Sequence, residues 1–180
     1  MGRRELDVDS PSLLEDIFVK SLLDDGRVET WKTQNPREWW AFQELSEDDD
    51  LRTRVLASIL GNRPEDDSID DLIRFAEALE GHRRATRDGT VSPPPGDGER
   101  RSFPIIVTRM TRMRNAGRLF FRVDFGTPHG WAGFFDTTNP DVVERIAKLR
   151  NRSKPITVVG EVTQRFYEFL VELDSRIRIV

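Results

Sequence analysis

Strict alternation over residues 118–125 constrains the fold of this chain more than any other stretch of its sequence. Apolar side chains fall on one side of the pattern and mostly charged ones on the other: Leu119, Phe121, Val123 and Phe125 against Arg118, Phe120, Arg122 and Asp124. A period of two predicts a strand with one buried face and one exposed face. The Asn115-Ala116-Gly117 segment before it is typical of a tight hairpin turn, so we expect residues 103–114 to form the partner strand.

The remaining C-terminal sequence predicts one more strand, a helix, and then two further strands. Residues 126–130 read as a turn and residues 131–136 as the third strand. Asn139-Pro140 then opens a helix, with Asn as the cap and Pro in the first turn. Residues 156–162 are expected to form the fourth strand, residues 164–167 a loop, and residues 168–180 the fifth strand.

The N-terminal half carries four helix-opening signals, each followed by an apolar stripe at helical spacing. They are Ser10-Pro11, Asn35-Pro36, Ser46 with Asp49, and Ser68 with Asp71. Gly61 and Gly81 follow the third and fourth stripes and predict where those helices end. Residues 26–35 show no stripe and are expected to link the first two helices. This half should therefore be a small helical bundle.

Residues 83–101 have no apolar periodicity and contain three consecutive prolines flanked by glycines. Such a composition favours an extended, semi-stiff spacer. We therefore expect an α+β protein with an acidic helical domain at residues 1–82, a Pro/Gly-rich linker at residues 83–101, and a basic domain at residues 102–180.

The two halves carry opposite net charge. Residues 1–101 contain 15 Lys+Arg and 24 Asp+Glu, a net charge of −9, whereas residues 102–180 contain 13 and 8, a net charge of +5. The overall pI of about 5.4 conceals this difference. A charge asymmetry of this kind points to nucleic acid or to a partner of opposite charge.

Several function classes have little support in the composition. Absence of cysteine excludes disulfides, cysteine-type zinc sites and thiol catalysis. No apolar run is long enough to span a membrane, and no signal peptide is recognisable, so we expect a cytoplasmic protein without a membrane partner. The acidic runs at residues 47–50 and 65–67 lie at predicted helix starts, where carboxylates cap backbone N–H groups, and they lack calcium-loop spacing. We expect no metal and no cofactor.

The predicted order of three strands, a helix and two strands resembles the oligonucleotide/oligosaccharide-binding barrel (OB-fold) superfamily. Residues 149–162, which pass from the helix into a strand containing Gly160, resemble the corresponding passage of such barrels. The resemblance covers residues 102–180 and is one of pattern rather than of a unique motif. It implies a five-stranded OB-type barrel with one helix between strands three and four. The N-terminal helical half is not recognised.

The resemblance also implies a binding face on strands two and three and on the first and last inter-strand loops. The residues at those positions are Arg109, Arg112, Arg114, Arg118, Phe120, Arg122, Trp131, Arg165, Phe166 and Tyr167. Single-strand binding needs cations to follow the phosphates and aromatic rings on which bases stack, and this set contains both. The alternative is that the arginines serve solubility and that Phe166 and Tyr167 close the end of the barrel.

Catalysis has weak support, because no serine elbow, phosphate loop or metalloprotease motif occurs. His129 with Asp124 and Asp136 could be assembled into a general-base or nuclease site, but the arginine–carboxylate signature of nucleases on this barrel is missing. We expect no enzyme and no catalytic residue.

Trp39 and Trp40 are adjacent on a predicted helix and cannot both face one core, so one of them is a candidate contact for a protein partner. The sequence as a whole predicts a non-enzymatic protein that binds single-stranded DNA or RNA and carries an acidic helical docking module for another protein. The alternative is a protein–protein adaptor subunit of a larger complex, in which the OB-like barrel binds protein.

Overall fold

The computed structural model describes residues 26–61, 67–149 and 153–180. Within these residues the chain forms five helices and six strands, and the mixed α+β class predicted from the sequence is confirmed. The helices are α1 Gly26–Gln34, α2 Pro36–Glu44, α3 Asp50–Gly61, α4 Ser68–Asp88 and α5 Pro140–Ala147. The strands are β1 Arg100–Asn115, β2 Arg118–Gly126, β3 Ala132–Thr137, β4 Ile156–Tyr167, β5 Leu170–Leu173 and β6 Arg178–Ile179. The helix predicted to open at Ser10 lies outside the described residues.

The chain divides into two compact units, residues 1–76 and residues 77–180, and the division falls inside α4. In the first unit, the segment expected to link two helices is itself the helix α1. Only Val28 of α1 is buried, so the sequence of this helix has no apolar stripe from which a helix could be predicted. Asn35 does not cap α2 with its side chain; its amide instead donates to the carbonyl of Trp31 at 3.0 Å. Before α3, the Asp49 carboxylate accepts from the backbone N–H of Leu51 at 2.9 Å, as a helix cap does.

Helix α4 does not end at Gly81, as the sequence predicted, but continues to Asp88. A glycine inside a helix costs about 1 kcal/mol relative to alanine, and the buried side chains on either side of it, Leu79 and Ala85, offset that cost. The first residues of the predicted spacer, 83–88, are therefore helical.

The rest of that spacer, residues 89–99, is named here the strap, and it binds to other parts of its own unit. Pro94 and Pro95 are buried. The backbone N–H of Ser92 donates to the carbonyl of His129 at 2.9 Å. The guanidinium of Arg165 donates to the Asp97 carboxylate at 2.9 Å and to the Pro95 carbonyl at 2.6 Å. The segment predicted as an extended, semi-stiff linker, residues 83–101, is therefore helical at residues 83–88, bound to its own unit at residues 89–99, and part of β1 at Arg100 and Arg101.

The strands of the second unit pair in the order β1-β2-β3-β5-β4, and β4 pairs back with β1, so that the five form a closed ring with β6 added beside β4. All pairings are antiparallel except β3 with β5. The inside of the ring is apolar, and its fully buried side chains include Ile105, Val123, Phe135, Ile146 and Val158. Helix α5 contributes Val142 and Ile146 to this core, and the Asn139 side chain caps its first turn as predicted.

Two predictions near the C-terminus, one of a loop and one of a strand, were wrong. Residues 164–167, expected to be a loop, belong to β4, and residues 168–180 form two short strands rather than one. Irregular register explains the error, because the β4–β5 pairing shifts between Val162 and Gln164 and again between Arg165 and Tyr167. Each shift breaks the alternation by which a strand is recognised in a sequence.

Candidate nucleic-acid interface

The sheet of the second unit has an outward side formed mainly by β1, β2 and β3. Residues paired across antiparallel strands lie on the same face of the sheet. The pairs Arg109↔Asp124 and Arg122↔Asp136 lie on one face, and the buried pair Val107↔Phe125 lies on the other. This side, named here the outer face, carries five of the predicted residues together with one that was not predicted. The members are Arg109, Arg118, Phe120, Arg122, Phe134 and Phe166.

Three outer-face side chains form a column. The Arg122 guanidinium lies 4.9 Å from the ring centre of Phe134, and that ring stacks on Phe166 at 5.7 Å with an interplanar angle of 30°. Phe134 is buried under its two neighbours, whereas Phe166 is 44% exposed. The column therefore ends in an aromatic ring that is partly open to solvent, and such a ring can stack on a planar ligand.

The sequence prediction missed Phe134, and the signal that could have found it is the alternation in β3. Phe135 is a core residue, so the side chain before it must point outward, on the same side as Asp136.

Carboxylates neutralise the two arginines in the middle of the outer face. Arg122 donates two hydrogen bonds to Asp136, at 2.8 and 3.0 Å, in a bidentate arrangement. Hydrogen bonding to Asp136 raises the pKa of Arg122 above its ordinary value; partial burial opposes this, and the charges of Asp136, Asp124 and Glu172 reinforce it. Arg109 donates to the buried Asp124 at 3.3 Å and also lies 3.7 Å from Glu77. Both arginines already have anionic partners and serve to brace the face.

Beyond the ring, β1 and β2 continue as a two-stranded extension. β2 pairs with β3 only as far as Phe121↔Thr137, and β1 pairs with β4 only as far as Ile105↔Ile156. Residues 112–121 are named here the arm, and within it residues 113–120 pair only with each other among the strands described. The turn at its tip has positive φ at Ala116 (50°) and Gly117 (77°), as a type I′ turn requires.

The arm holds three exposed arginines, Arg112, Arg114 and Arg118, for which the described part of the chain supplies no ion-pair partner. They do not share one side. Arg118 pairs with Asn115 on the outer-face side, whereas Arg112 pairs with Phe121 and Arg114 with Leu119 on the side that continues the core. The structure therefore divides the predicted arginine cluster between two sides of the arm.

Three other predicted residues are placed elsewhere in the unit. Trp131 is only 3% exposed and packs against Phe103 and Phe125 in the core, so its indole has no free face for a base, and its assignment to the interface is corrected. Arg165 is held by the strap. Tyr167 stacks on Phe169 at 5.8 Å, which places it in a second aromatic column.

That second column continues to α4. Phe169 stacks on His82 at 5.0 Å, and the Nδ1 atom of His82 lies 3.0 Å from the Gly130 carbonyl oxygen. A carbonyl can only accept, so Nδ1 carries the proton in this hydrogen bond. The column packs residues of α4 against the turn before β3, and contact of the half-buried Tyr167 with bases stays a prediction.

In the helical unit, both predicted partner contacts are half-buried. Trp39 stacks on Phe42 at 5.1 Å, meets the edge of Trp31 at 6.5 Å, and has the Lys32 ammonium 5.2 Å from its ring centre. Trp39 thus packs within its own unit. For Trp40, a role as the docking contact stays a prediction.

The two carboxylates of the possible general-base site already form ion pairs. Asp124 and Asp136, considered with His129 as a possible general-base site, are the carboxylates that hold Arg109 and Arg122. Over residues 26–61, 67–149 and 153–180, no group of three or more His, Cys, Asp or Glu side chains could hold a metal ion. Among the helices described, none combines the length and the apolar character that crossing a membrane requires.

Comparison of the chain with protein-family models, with curated proteins and with solved structures gave no match.

Proposed function

We propose that the unit formed by residues 77–180 is an OB-type barrel that binds single-stranded nucleic acid through its outer face and the adjoining arm. The observation that carries the proposal is the interleaving of arginine and phenylalanine on one sheet face, ending in the half-exposed ring of Phe166. Cations beside open aromatic faces are the arrangement that sequence-tolerant single-strand binding uses. The closed strand order β1-β2-β3-β5-β4 supports the barrel assignment.

Phosphates of the single strand are assigned to Arg118, on the outer-face side of the arm, rather than to the middle of the outer face. A phosphate approaching Arg122 or Arg109 would have to displace a carboxylate already bound there. Arg118 has no such competitor among the described residues and lies on the outer-face side of the arm tip. The sequence has no acidic residue between Phe103 and Val123, so a backbone that follows the Arg118 side of the arm meets no negative charge from this stretch.

Bases are assigned to the two outer-face rings with exposed area, Phe166 and Phe120. Phe166 is fixed in orientation by its stack on Phe134, which itself lies under Arg122. An aromatic ring that is already ordered loses little conformational entropy when a base stacks on it.

A protein partner is the second candidate, and the neutral middle of the outer face favours it. Arginine–carboxylate pairs beside the exposed ring of Phe166 are also suited to a protein contact with an aromatic anchor. In that case the binding unit would serve as an adaptor, and its affinity for single strands would be weak and non-specific.

The test is fluorescence anisotropy of the full chain with labelled single strands at several salt concentrations. We expect Phe166→Ala to weaken binding by about 1–3 kcal/mol because it removes a stacking face. Arg118→Gln should weaken binding and make the plot of log K against log salt shallower by about 0.7, the contribution of one phosphate on a single strand.

Arg178→Gln is the matched control, since it removes an exposed charge from β6 while leaving the outer face intact. Equal effects of Arg118→Gln and Arg178→Gln would contradict the assignment of phosphates to the arm. Binding that does not weaken with salt would contradict nucleic-acid binding altogether.

A further inference from the structure

The arm presents arginines to both of its sides and at its tip. Arg118 lies toward the outer face, and Arg112 and Arg114 lie on the opposite side, next to the 40%-exposed Leu119 and the half-buried Phe121. One single strand running over the outer face can reach only one of these sides. The second side therefore has a cationic surface that single-strand binding leaves unused.

The size of the arm matches a groove of double-helical DNA. Its last three residue pairs beyond Phe121 extend about 10 Å, because an antiparallel strand rises about 3.4 Å per residue. The major groove of B-form DNA is about 8.5 Å deep and wide enough for a two-stranded ribbon, and it has phosphates along both walls. A ribbon in that groove needs cations on both sides, as this arm has.

We propose that the preferred ligand is DNA with a junction between single and double strand, whose duplex groove receives the arm while its single strand lies on the outer face. The inference rests on the proposed function and adds to it the class of substrate. Arg112 and Arg114 contact duplex phosphates on the side of the groove away from the outer face. Arg118, at the tip, lies where the single strand and the duplex meet.

The geometry also distinguishes DNA from RNA. An A-form RNA duplex has a deep, narrow major groove that side chains cannot enter. An arm two strands wide is excluded from it. The gain in affinity from adding a duplex should therefore appear with DNA and be absent with an RNA duplex of the same sequence.

The experiment measures anisotropy of the full chain with three DNA probes of equal total length: a single strand, a blunt duplex, and a duplex with a single-stranded tail. The tailed duplex is expected to bind more tightly than either of the others. Arg112→Gln/Arg114→Gln should lower affinity for the tailed duplex by about tenfold per arginine and leave single-strand affinity unchanged. For this double variant on the tailed duplex, the slope of log K against log salt should become shallower by about 1.8, because contacts to two duplex phosphates are lost.

Arg84→Gln/Arg87→Gln is the matched control, because it removes the same two charges from exposed positions of α4. Arg112→Lys/Arg114→Lys keeps the charge and should recover most of the salt slope.

The inference would be overturned, and the proposed function left standing, if the wild-type protein bound the single strand and the tailed duplex with equal affinity. Equal weakening of single strand and tailed duplex by the double variant would also overturn it, because both arginines would then belong to the single-strand path. Failure of the wild-type protein to bind single strands would instead defeat the proposed function.

Discussion

Two glycines on neighbouring strands of the ring have opposite surroundings. A Cβ atom added at Gly133 of β3 would lie 2.6 Å from the Val171 carbonyl oxygen and 2.8 Å from Cζ of Phe125. A Cβ atom added at Gly126 of β2 would have no neighbour within 4 Å. Gly133 therefore permits the close approach of β5 and of the core ring of Phe125, whereas Gly126 has no such role.

The first of these substitutions should be costly and the second nearly neutral. We expect Gly133→Ala to lower the free energy of unfolding by about 1–3 kcal/mol, because the backbone carbonyl of Val171 cannot move aside without disturbing the β3–β5 pairing. Gly126→Ala should change it by less than about 0.5 kcal/mol. Thermal and urea denaturation of both variants measures the difference. A loss of stability as large in Gly126→Ala would show that the packing around Gly133 is not the cause.

At the scale of elements, one side chain of the ring donates hydrogen bonds to two acceptors on the strap. Arg165 of β4 reaches both the Asp97 carboxylate and the Pro95 carbonyl, and Asp97 also forms a parallel bridge with Val162. The strap thereby continues along β4 beyond the last β1–β4 pair, Arg100↔Glu161. An otherwise open strand edge is covered in this way.

Releasing that side chain should loosen the strap without unfolding the ring. In Arg165→Gln we expect faster hydrogen exchange over residues 89–99, since both hydrogen bonds from the guanidinium are lost, with little change in the exchange of β2 and β3. Arg84→Gln is a control on α4. Unchanged exchange over the strap in Arg165→Gln would mean that its other contacts, such as the buried prolines and the hydrogen bond from Ser92 to His129, are sufficient to hold it.

Sequence pattern predicted elements well where one side is buried and the other exposed, as in β2 and α5. It failed for α1, which buries a single side chain, and for β4, whose register shifts interrupt the alternation. For the site, the pattern identified the arginines and Phe166, but the pairing of Arg122 with Asp136 depends on the β2–β3 register. Burial of Trp131 likewise results from contacts with two other strands, which no local pattern reveals.

At the scale of the whole molecule, the two units differ in charge as sharply as the sequence halves do. Residues 1–76 contain 10 Lys+Arg and 19 Asp+Glu, and residues 77–180 contain 18 and 13, so the net charges are −9 and +5. A nucleic acid approaching the full chain meets a molecule with a net charge of −4. Long-range repulsion of this kind slows association and is screened by salt.

The fragment comprising residues 77–180 should therefore bind single strands more tightly than the full chain. We expect the difference to be largest at low salt and to shrink as the Debye length falls to about 10 Å at 0.1 M salt. Anisotropy titrations of both proteins across a salt series measure it. Equal affinities at low salt would assign the helical unit to protein docking alone, and weaker binding by the fragment would place part of the nucleic-acid site in residues 1–76.

Closure of the strand ring has a consequence for how the chain folds as it is synthesised. β1 can complete its pairing with β4 only after Glu161 has been made, about 60 residues after Arg100, whereas the β1–β2 hairpin closes over a two-residue turn. Local hairpins form in about 1–10 μs, and non-local pairings of high contact order are much slower. On the ribosome the β1–β2 hairpin, which carries the arm, would thus be the first part of the ring to form. β4 would be synthesised later and would pair with a β1 strand that is already folded.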